Sequence, residues 1–249
     1  MTGMDDRAVR NLIGFTLTFS IIVVSVGLTA TLGTQQLDAV SQSERVENAR
    51  AGSEQLANSL ERLQQQRSVV ATSELDLAEG TLTVTDGTTM TVRTTDNFNR
   101  TVSTGGLAYR IGDTTFDYEA GALFRTDARG NAVMLAPPTM SCTDERAVVS
   151  VVRVTPRSAT QFGGREVTVT ATAESQELLY PLNRTGRDSA GDAEEANVTV
   201  TSPRADAWAQ HFGDAGNWTE SATLEDTYVC DAVDAVYIRQ TNVTIGFRG

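Results

Sequence analysis

The sequence contains no lysine, one histidine and two cysteines among its 249 residues, so all 20 basic residues are arginine. Sites built from several histidine or cysteine ligands are therefore excluded, and we expect no metal ion and no cofactor. Acidic residues number 32, which gives a formal net charge of -12. Because a nucleic-acid-binding protein needs a basic surface, we expect no nucleic acid among the partners.

The absence of lysine, combined with the excess of acid, indicates a halophilic organism, and an archaeon in particular. A high negative charge keeps a protein soluble, and concentrated salt screens the repulsion that this charge creates. A GC-rich genome that replaces lysine codons by arginine codons is the alternative explanation.

The sequence also lacks the common catalytic motifs: it has no GxGxxG, Walker A loop, HExxH or GxSxG. The single histidine, His211, lies near Trp208 and Phe212 and is interpreted as a packing residue rather than a lone general base. Paired carboxylates could still form a hydrolytic site, but sequence does not give their separation. We therefore predict that the protein is not an enzyme.

Long apolar runs are confined to the N-terminus, where no charged residue occurs from Asn11 to Leu37. A helix over Leu12–Gly33 would be roughly 33 Å long, which is enough to cross the core of a bilayer. The pattern predicts a short cytoplasmic leader at 1–8 and a transmembrane helix at 9–33, with membrane lipid as a partner. The alternative is a signal peptide that is removed with the whole segment.

The following residues change from apolar to mixed composition without any proline. The apolar residues that recur at helical spacing, with charged residues between them, are Leu37, Val40, Leu56, Leu60, Leu63 and Val70. This spacing predicts an amphipathic helix over 34–72, which must pack either on the C-terminal domain or on the same helix of a neighbouring subunit.

The remainder, 76–249, shows the period-two alternation of β-strands. Asp86-Gly87 and Gly112-Asp113 are predicted hairpin turns, and Val148 to Val154 is a predicted buried strand. The predicted fold class is α+β, with a long N-terminal helix (transmembrane half plus amphipathic half) followed by an antiparallel β-rich, sandwich-like domain.

Two features of the β-rich region indicate that it is exported. Five Asn-x-Thr sequons are candidate glycosylation sites, although threonine-rich strands also produce such sequons by accident. They are Asn99, Asn183, Asn197, Asn217 and Asn242. The two cysteines, Cys142 and Cys230, are predicted to form a disulfide, with two buried free thiols as the alternative. The expected location is the cell membrane, single-pass, with the C-terminal domain extracellular.

The N-terminal sequence resembles that of haloarchaeal type IV pilins and pilin-like proteins. The resemblance lies in Asp5-Asp6-Arg7-Ala8-Val9, followed by Leu12-Ile13-Gly14-Phe15 and the apolar run. It implies that a prepilin peptidase cuts the precursor, with Arg7 and Ala8 as the last leader residues and Val9 as the new N-terminus. The stretch Phe116–Arg125 also looks like a segment of uncharacterised haloarchaeal members of this group.

Together these observations predict a membrane-anchored, pilin-like structural subunit of the cell surface. Its size favours a minor pilin or pseudopilin that assembles with other pilin-like subunits through the N-terminal helix. The alternative is a single-pass anchored extracellular binding or adhesion domain that does not polymerise.

Overall fold

The computed structural model describes residues 5–78, 80–157, 160–181 and 193–249, and within the first helix it describes the side chains of 13–26 and those from 40 onward. The contacts divide the chain into an N-terminal unit, residues 1–45, and a β-rich unit, residues 46–249. Each unit is described by itself below.

The described residues contain two helices and sixteen strands. The helices are α1 (Asp5–Gln64) and α2 (Ala205–Asp214). The strands are β1 (Val70–Asp76), β2 (Thr81–Thr85), β3 (Thr89–Thr94), β4 (Asn99–Ser103), β5 (Gly106–Ile111), β6 (Thr114–Glu119), β7 (Ala122–Thr126), β8 (Ala132–Ala136), β9 (Met140–Cys142), β10 (Arg146–Pro156), β11 (Gln161–Gly163), β12 (Glu166–Tyr180), β13 (Ala196–Thr201), β14 (Thr219–Glu220), β15 (Thr227–Cys230) and β16 (Ala235–Arg248).

The prediction of a transmembrane helix at 9–33 is wrong. Within the described part of the chain, no helix is long and apolar enough to span a bilayer. The physical reason is that threonine and serine occur throughout the uncharged run and lower its mean hydropathy. The predicted fold class and the single-pass location in the cell membrane, with its membrane keywords, are corrected accordingly.

Helix α1 also ends earlier than the predicted boundary at residue 72. It stops at Gln64, Gln66 has a positive φ of 59°, and β1 begins at Val70. The physical reason is the β-branched pair Val69-Val70, which favours an extended backbone.

The β-rich unit contains three sheets, which differs from the predicted antiparallel, sandwich-like arrangement. Their strand orders are β1-β12-β16-β10-β9 (the central sheet), β11-β2-β5-β6-β7-β8 (the six-stranded sheet) and β14-β15-β13-β3-β4 (the outer sheet). In the central sheet β16 runs parallel to the whole length of β10, from Arg146 beside Ala235 to Pro156 beside Ile245. A valine-rich strand buried on both faces suits such parallel pairing.

The central sheet separates two hydrophobic cores, and β10 contributes to both. Val149 and Val151 belong to a core shared with the outer sheet and α2, whereas Val152 and Val154 belong to a core shared with the six-stranded sheet. Residues Leu56, Leu60 and Leu63 of α1 lie in this second core. These three leucines of the predicted stripe therefore pack on strands of the β-rich unit, whereas Val40 is exposed.

The predicted hairpin at Asp86-Gly87 is wrong, whereas the hairpin at Gly112-Asp113 is confirmed by the pairing of β5 with β6. Strands β2 and β3 belong to different sheets, and the chain crosses between those sheets at Gly87 and returns at Gly105. A Cβ on Gly105 would lie 2.1 Å from the carbonyl oxygen of Val154, and its φ is +61°. Only glycine allows so close a crossing.

Candidate functional site

The most exposed apolar surface in the structure lies on residues 13–26 of α1, hereafter the apolar segment. Its large apolar side chains are 52–69% exposed and none of its residues is charged. They are Ile13, Phe15, Leu17, Phe19, Ile21, Ile22, Val23, Val24 and Val26. Because successive helical residues are about 100° apart, the run from Ile21 to Val24 presents apolar groups on all sides of the helix.

Hydroxyl groups within the apolar segment form hydrogen bonds to the backbone of their own helix. Thr18 Oγ1 donates to the carbonyl oxygen of Gly14 at 2.9 Å, and Ser25 Oγ donates to that of Ile22 at 2.9 Å. Such back-bonding satisfies a hydroxyl inside its own helix. The surface is consequently more apolar than its threonine and serine content suggests, and a large exposed apolar surface marks a site of interaction.

The residues predicted to guide processing, Arg7, Ala8 and Val9, lie in α1, and their side chains are outside the described set. The structure therefore places them on a helix directly before the apolar segment and gives no further contacts for them.

A second cluster, the buried ion network, lies where β6 faces the start of α2. Arg204 Nη2 contacts Asp117 Oδ1 at 2.5 Å, and Arg204 Nη1 contacts Glu119 Oε2 at 2.7 Å. Trp208 Nε1 donates to Glu119 Oε1 at 2.9 Å, and Thr126 Oγ1 donates to Asp117 Oδ2 at 3.1 Å. Both acids are at most 5% exposed.

This network explains the chemistry of the Phe116–Arg125 stretch without invoking catalysis. Each of the four carboxylate oxygens already accepts a hydrogen bond or contacts the guanidinium. A carboxylate that acts as general acid or base needs an atom free to meet the substrate. We interpret the network as a structural link between the six-stranded sheet and α2. The sequence signal that could have predicted it is a pair of acids at alternating positions of one strand, flanked by aromatic residues.

The described sequons differ in their surroundings. Asn99 and Asn217 are exposed, whereas Asn197 and Asn242 are half-buried in strands β13 and β16. The Nδ2 group of Asn242 donates to Ser175 Oγ at 2.7 Å, so the nitrogen that would carry a glycan is already engaged. The Nδ2 group of Asn217 is engaged as well, since it donates to Asp144 Oδ1 at 2.6 Å. Glycan acceptors belong on accessible surface, which favours Asn99. Asn183 lies outside the described residues.

The predicted disulfide is present. Cys142 of β9 and Cys230 of β15 are bonded, with their Cα atoms 5.7 Å apart, and the bond connects the central sheet to the outer sheet. No group of three or more metal-ligating side chains occurs among the described residues.

His211 lies on α2 with its ring centroid 5.3 Å from that of Phe212 and 6.3 Å from that of Trp208. Burial lowers the pKa of His211, and the negative charge of Asp214 opposes that shift. These contacts agree with a packing role.

One further feature, which was not predicted from the sequence, is a groove of about 640 Å³ in the β-rich unit. Amide side chains dominate its wall, among them Gln64, Gln176 and Gln240. Oε1 of Gln64 and of Gln240 is buried without a hydrogen-bond partner among the described residues. Each such atom costs about 1–3 kcal/mol, which calls for an explanation.

Comparison with known proteins identifies a family but no annotated relative. A family described as a family of unknown function, DUF7289, matches residues 7–246 of the chain. No curated protein and no solved structure matches.

Proposed function

We propose that the chain, which belongs to the DUF7289 family, is an exported structural subunit of a pilin-like assembly. In this assembly the apolar segment of α1 packs on the same segment of neighbouring copies. The β-rich unit supplies the displayed surface. The single observation that carries the proposal is the set of nine large apolar side chains, each at least 52% exposed, on a charge-free stretch of helix.

The all-round distribution of these side chains favours several neighbours over one. Completing the burial of a half-exposed valine, isoleucine, leucine or phenylalanine is worth about 1–2 kcal/mol. A single partner helix covers only one side of the segment, so its contribution is comparable to the association cost of about 4–15 kcal/mol. A helix that is apolar all round is stable when other helices surround it.

Two further observations support an exported subunit. The disulfide between Cys142 and Cys230 is typical of proteins that leave the reducing cytosol. The resemblance of residues 5–33 to pilin-like proteins supports cleavage between Ala8 and Val9 by a prepilin peptidase.

The test is the oligomeric state of the full chain in high salt, measured by size-exclusion chromatography with light scattering. We expect the wild-type chain to form species larger than a dimer, and Ile22→Asp to be monomeric because it places a charge in the packed interface. Ser41→Asp is the matched control, since Ser41 is an exposed residue of α1 outside the apolar segment. A monomeric wild-type chain supports instead a binding domain that does not polymerise.

Cross-linking gives the geometry of the same assembly. The two cysteines of the chain are paired, so Val24→Cys introduces the sole free thiol. We expect mild oxidation to join Val24→Cys subunits through this residue, whereas Ser41→Cys subunits cross-link less. Equal cross-linking of the two variants counts against packing through the apolar segment.

Processing is tested separately by mass spectrometry of the mature protein. We expect the native N-terminus to be Val9. A start at Met1 contradicts cleavage by a prepilin peptidase.

A further inference from the structure

The groove in the β-rich unit, hereafter the glutamine groove, lies where the C-terminal end of α1 meets β12 and β16 of the central sheet. Gln64 comes from α1, Gln176 and Glu177 from β12, and Tyr237 and Arg239 from β16. The wall carries one acid and one base, and its other residues are neutral, some of them hydrogen-bonding and three of them apolar, Val148, Leu178 and Pro181. The site therefore suits an uncharged polar ligand better than an ion.

The amide groups of the groove are held in place by the protein through their nitrogen atoms. Gln64 Nε2 donates to the Tyr118 hydroxyl at 3.3 Å, and Gln176 Nε2 donates to the carbonyl oxygen of Leu63. Gln240 Nε2 donates to Asn242 Oδ1 at 2.7 Å. With its nitrogen engaged, each amide has its carbonyl oxygen left over as an acceptor.

Asn242 extends this fixation one step further. Its own Nδ2 donates to Ser175 Oγ at 2.7 Å, so the amides of residues 240 and 242 form a short chain across β16 and β12. The sequon at Asn242 is thereby explained as part of the wall that orients Gln240, which is only 6% exposed.

The donors of the groove come from β16. Arg239 Nε donates to Ser150 Oγ at 3.0 Å, and Ser150 is fully buried. This contact anchors one edge of the guanidinium, while the structure gives the two terminal nitrogens no partner among the described residues. Tyr237, half-buried beside it, adds a hydroxyl and an aromatic ring.

Acceptors and donors thus lie on one concave surface that also has an aromatic ring. A saccharide hydroxyl both donates and accepts hydrogen bonds, so it can donate to an amide oxygen and accept from a guanidinium at the same time. The accessible polar groups that such a hydroxyl would meet are the half-buried side chains of Gln176, Tyr237 and Arg239. The polar groups would fix orientation, and the ring would cover an apolar face of a sugar.

We infer that the glutamine groove is a binding site for a neutral saccharide. This function goes beyond the proposed assembly through α1, and the two use different residues.

The experiment is isothermal titration of the full chain with a panel of neutral disaccharides: maltose, cellobiose, lactose and chitobiose. We expect at least one to bind with a Kd of about 1 mM or tighter. Gln176→Leu, which keeps the bulk of the side chain and removes its polar atoms, is expected to weaken that binding about tenfold. Gln55→Leu is the matched control, since Gln55 is exposed on α1 outside the groove.

Tyr237→Phe is a second variant that tests the inference if Gln176→Leu disturbs the fold. It removes only a hydroxyl, and we expect a loss of about threefold in affinity with an unchanged unfolding transition. The inference is overturned by the absence of binding to every disaccharide at about 10 mM, or by equal affinities of the wild-type chain, Gln176→Leu and Tyr237→Phe. Light scattering on Gln176→Leu separates the two proposals, because assembly through the apolar segment does not involve this residue.

Discussion

Helix α1 contains two stretches with apolar residues, and these residues are exposed in one stretch and buried in the other. In residues 13–26, Ile13 is 61% exposed and Leu17 is 62% exposed, whereas in residues 49–63 both Leu60 and Leu63 are fully buried. The two stretches differ in composition, since residues 13–26 contain no charged residue whereas residues 49–63 contain two arginines and two glutamates. They also differ in the spacing of the apolar residues along the helix.

In the second stretch the buried positions recur along one face of the helix and are Ala49, Ser53, Leu56, Ala57, Ser59, Leu60 and Leu63. This spacing gives a single stripe, and the sheets of the β-rich unit cover it. In the first stretch the apolar residues are nearly consecutive and face every direction. A stripe can be covered from one side within a folded unit, whereas an all-round apolar surface requires partners on several sides.

The largest test of this contrast removes the same kind of group from each stretch. Leu60→Ala leaves a cavity in the core, so we expect it to lower the free energy of unfolding of the β-rich unit by about 3 kcal/mol. The corresponding fall in Tm is about 6–12 °C. Ile22→Ala is expected to leave this unfolding transition unchanged, since Ile22 is 54% exposed.

Fluorescence of Trp208 and Trp218 reports the transition directly, because these are the two tryptophans of the chain and both are buried in the β-rich unit. Denaturant titrations of the two variants and the wild-type chain provide the free energies. Equal losses for Leu60→Ala and Ile22→Ala contradict the contrast between the two stretches.

Local patterns in the sequence predicted the features that depend on neighbouring residues. The turn at Gly112-Asp113 joins adjacent paired strands, and the valine-rich stretch from Val148 is a buried strand. The disulfide between Cys142 and Cys230 followed from an even cysteine count. Each of these predictions needs only short-range preferences or the identity of a pair.

The features that the sequence did not predict depend on contacts between distant residues. Asp86-Gly87 has the composition of a hairpin turn, yet it crosses between sheets because Gly87 lies against Gly105. Period-two alternation does not predict the parallel pairing of β10 with β16, because the alternation is the same for parallel and antiparallel strands. No local motif brings Gln64, Gln176 and Gln240 together, and the sequon at Asn242 does not reveal that its amide is engaged inside a sheet.

A smaller test compares the two glycines in the middle of these stretches. Replacing a helical glycine by alanine gains about 1 kcal/mol of helix stability. At Gly14 a Cβ would meet nothing within 4 Å, so Gly14→Ala is expected to realise the full gain. At Gly52 a Cβ would lie 2.8 Å from Leu75 Cδ2, so repacking of the buried Leu75 offsets the gain.

Hydrogen exchange measures both effects in the full chain. We expect amide exchange in the apolar segment to slow about fivefold in Gly14→Ala. Gly52→Ala should leave the unfolding of the β-rich unit unchanged or slightly destabilised. A clear stabilisation by Gly52→Ala contradicts the close packing of this part of α1 on β1.

The smallest expected effect is the response to pH, which separates the apolar segment from the β-rich unit by their ionisable groups. The apolar segment has no ionisable side chain, whereas the β-rich unit contains His211, the single histidine of the chain. Burial lowers the folded-state pKa of His211 below the value of about 6.5 in the unfolded chain. The unfolded chain therefore takes up the proton first, and His211 lowers stability as the pH falls from about 6.5 toward the folded-state pKa. Denaturant titrations between pH 7.5 and 5 should show a larger loss for the wild-type chain than for His211→Gln, because the variant has removed this proton uptake while the carboxylates remain. If the free energy of unfolding falls with pH at the same rate in the two proteins, a depressed pKa of His211 is contradicted. The pH dependence of the β-rich unit then comes from its acidic residues alone.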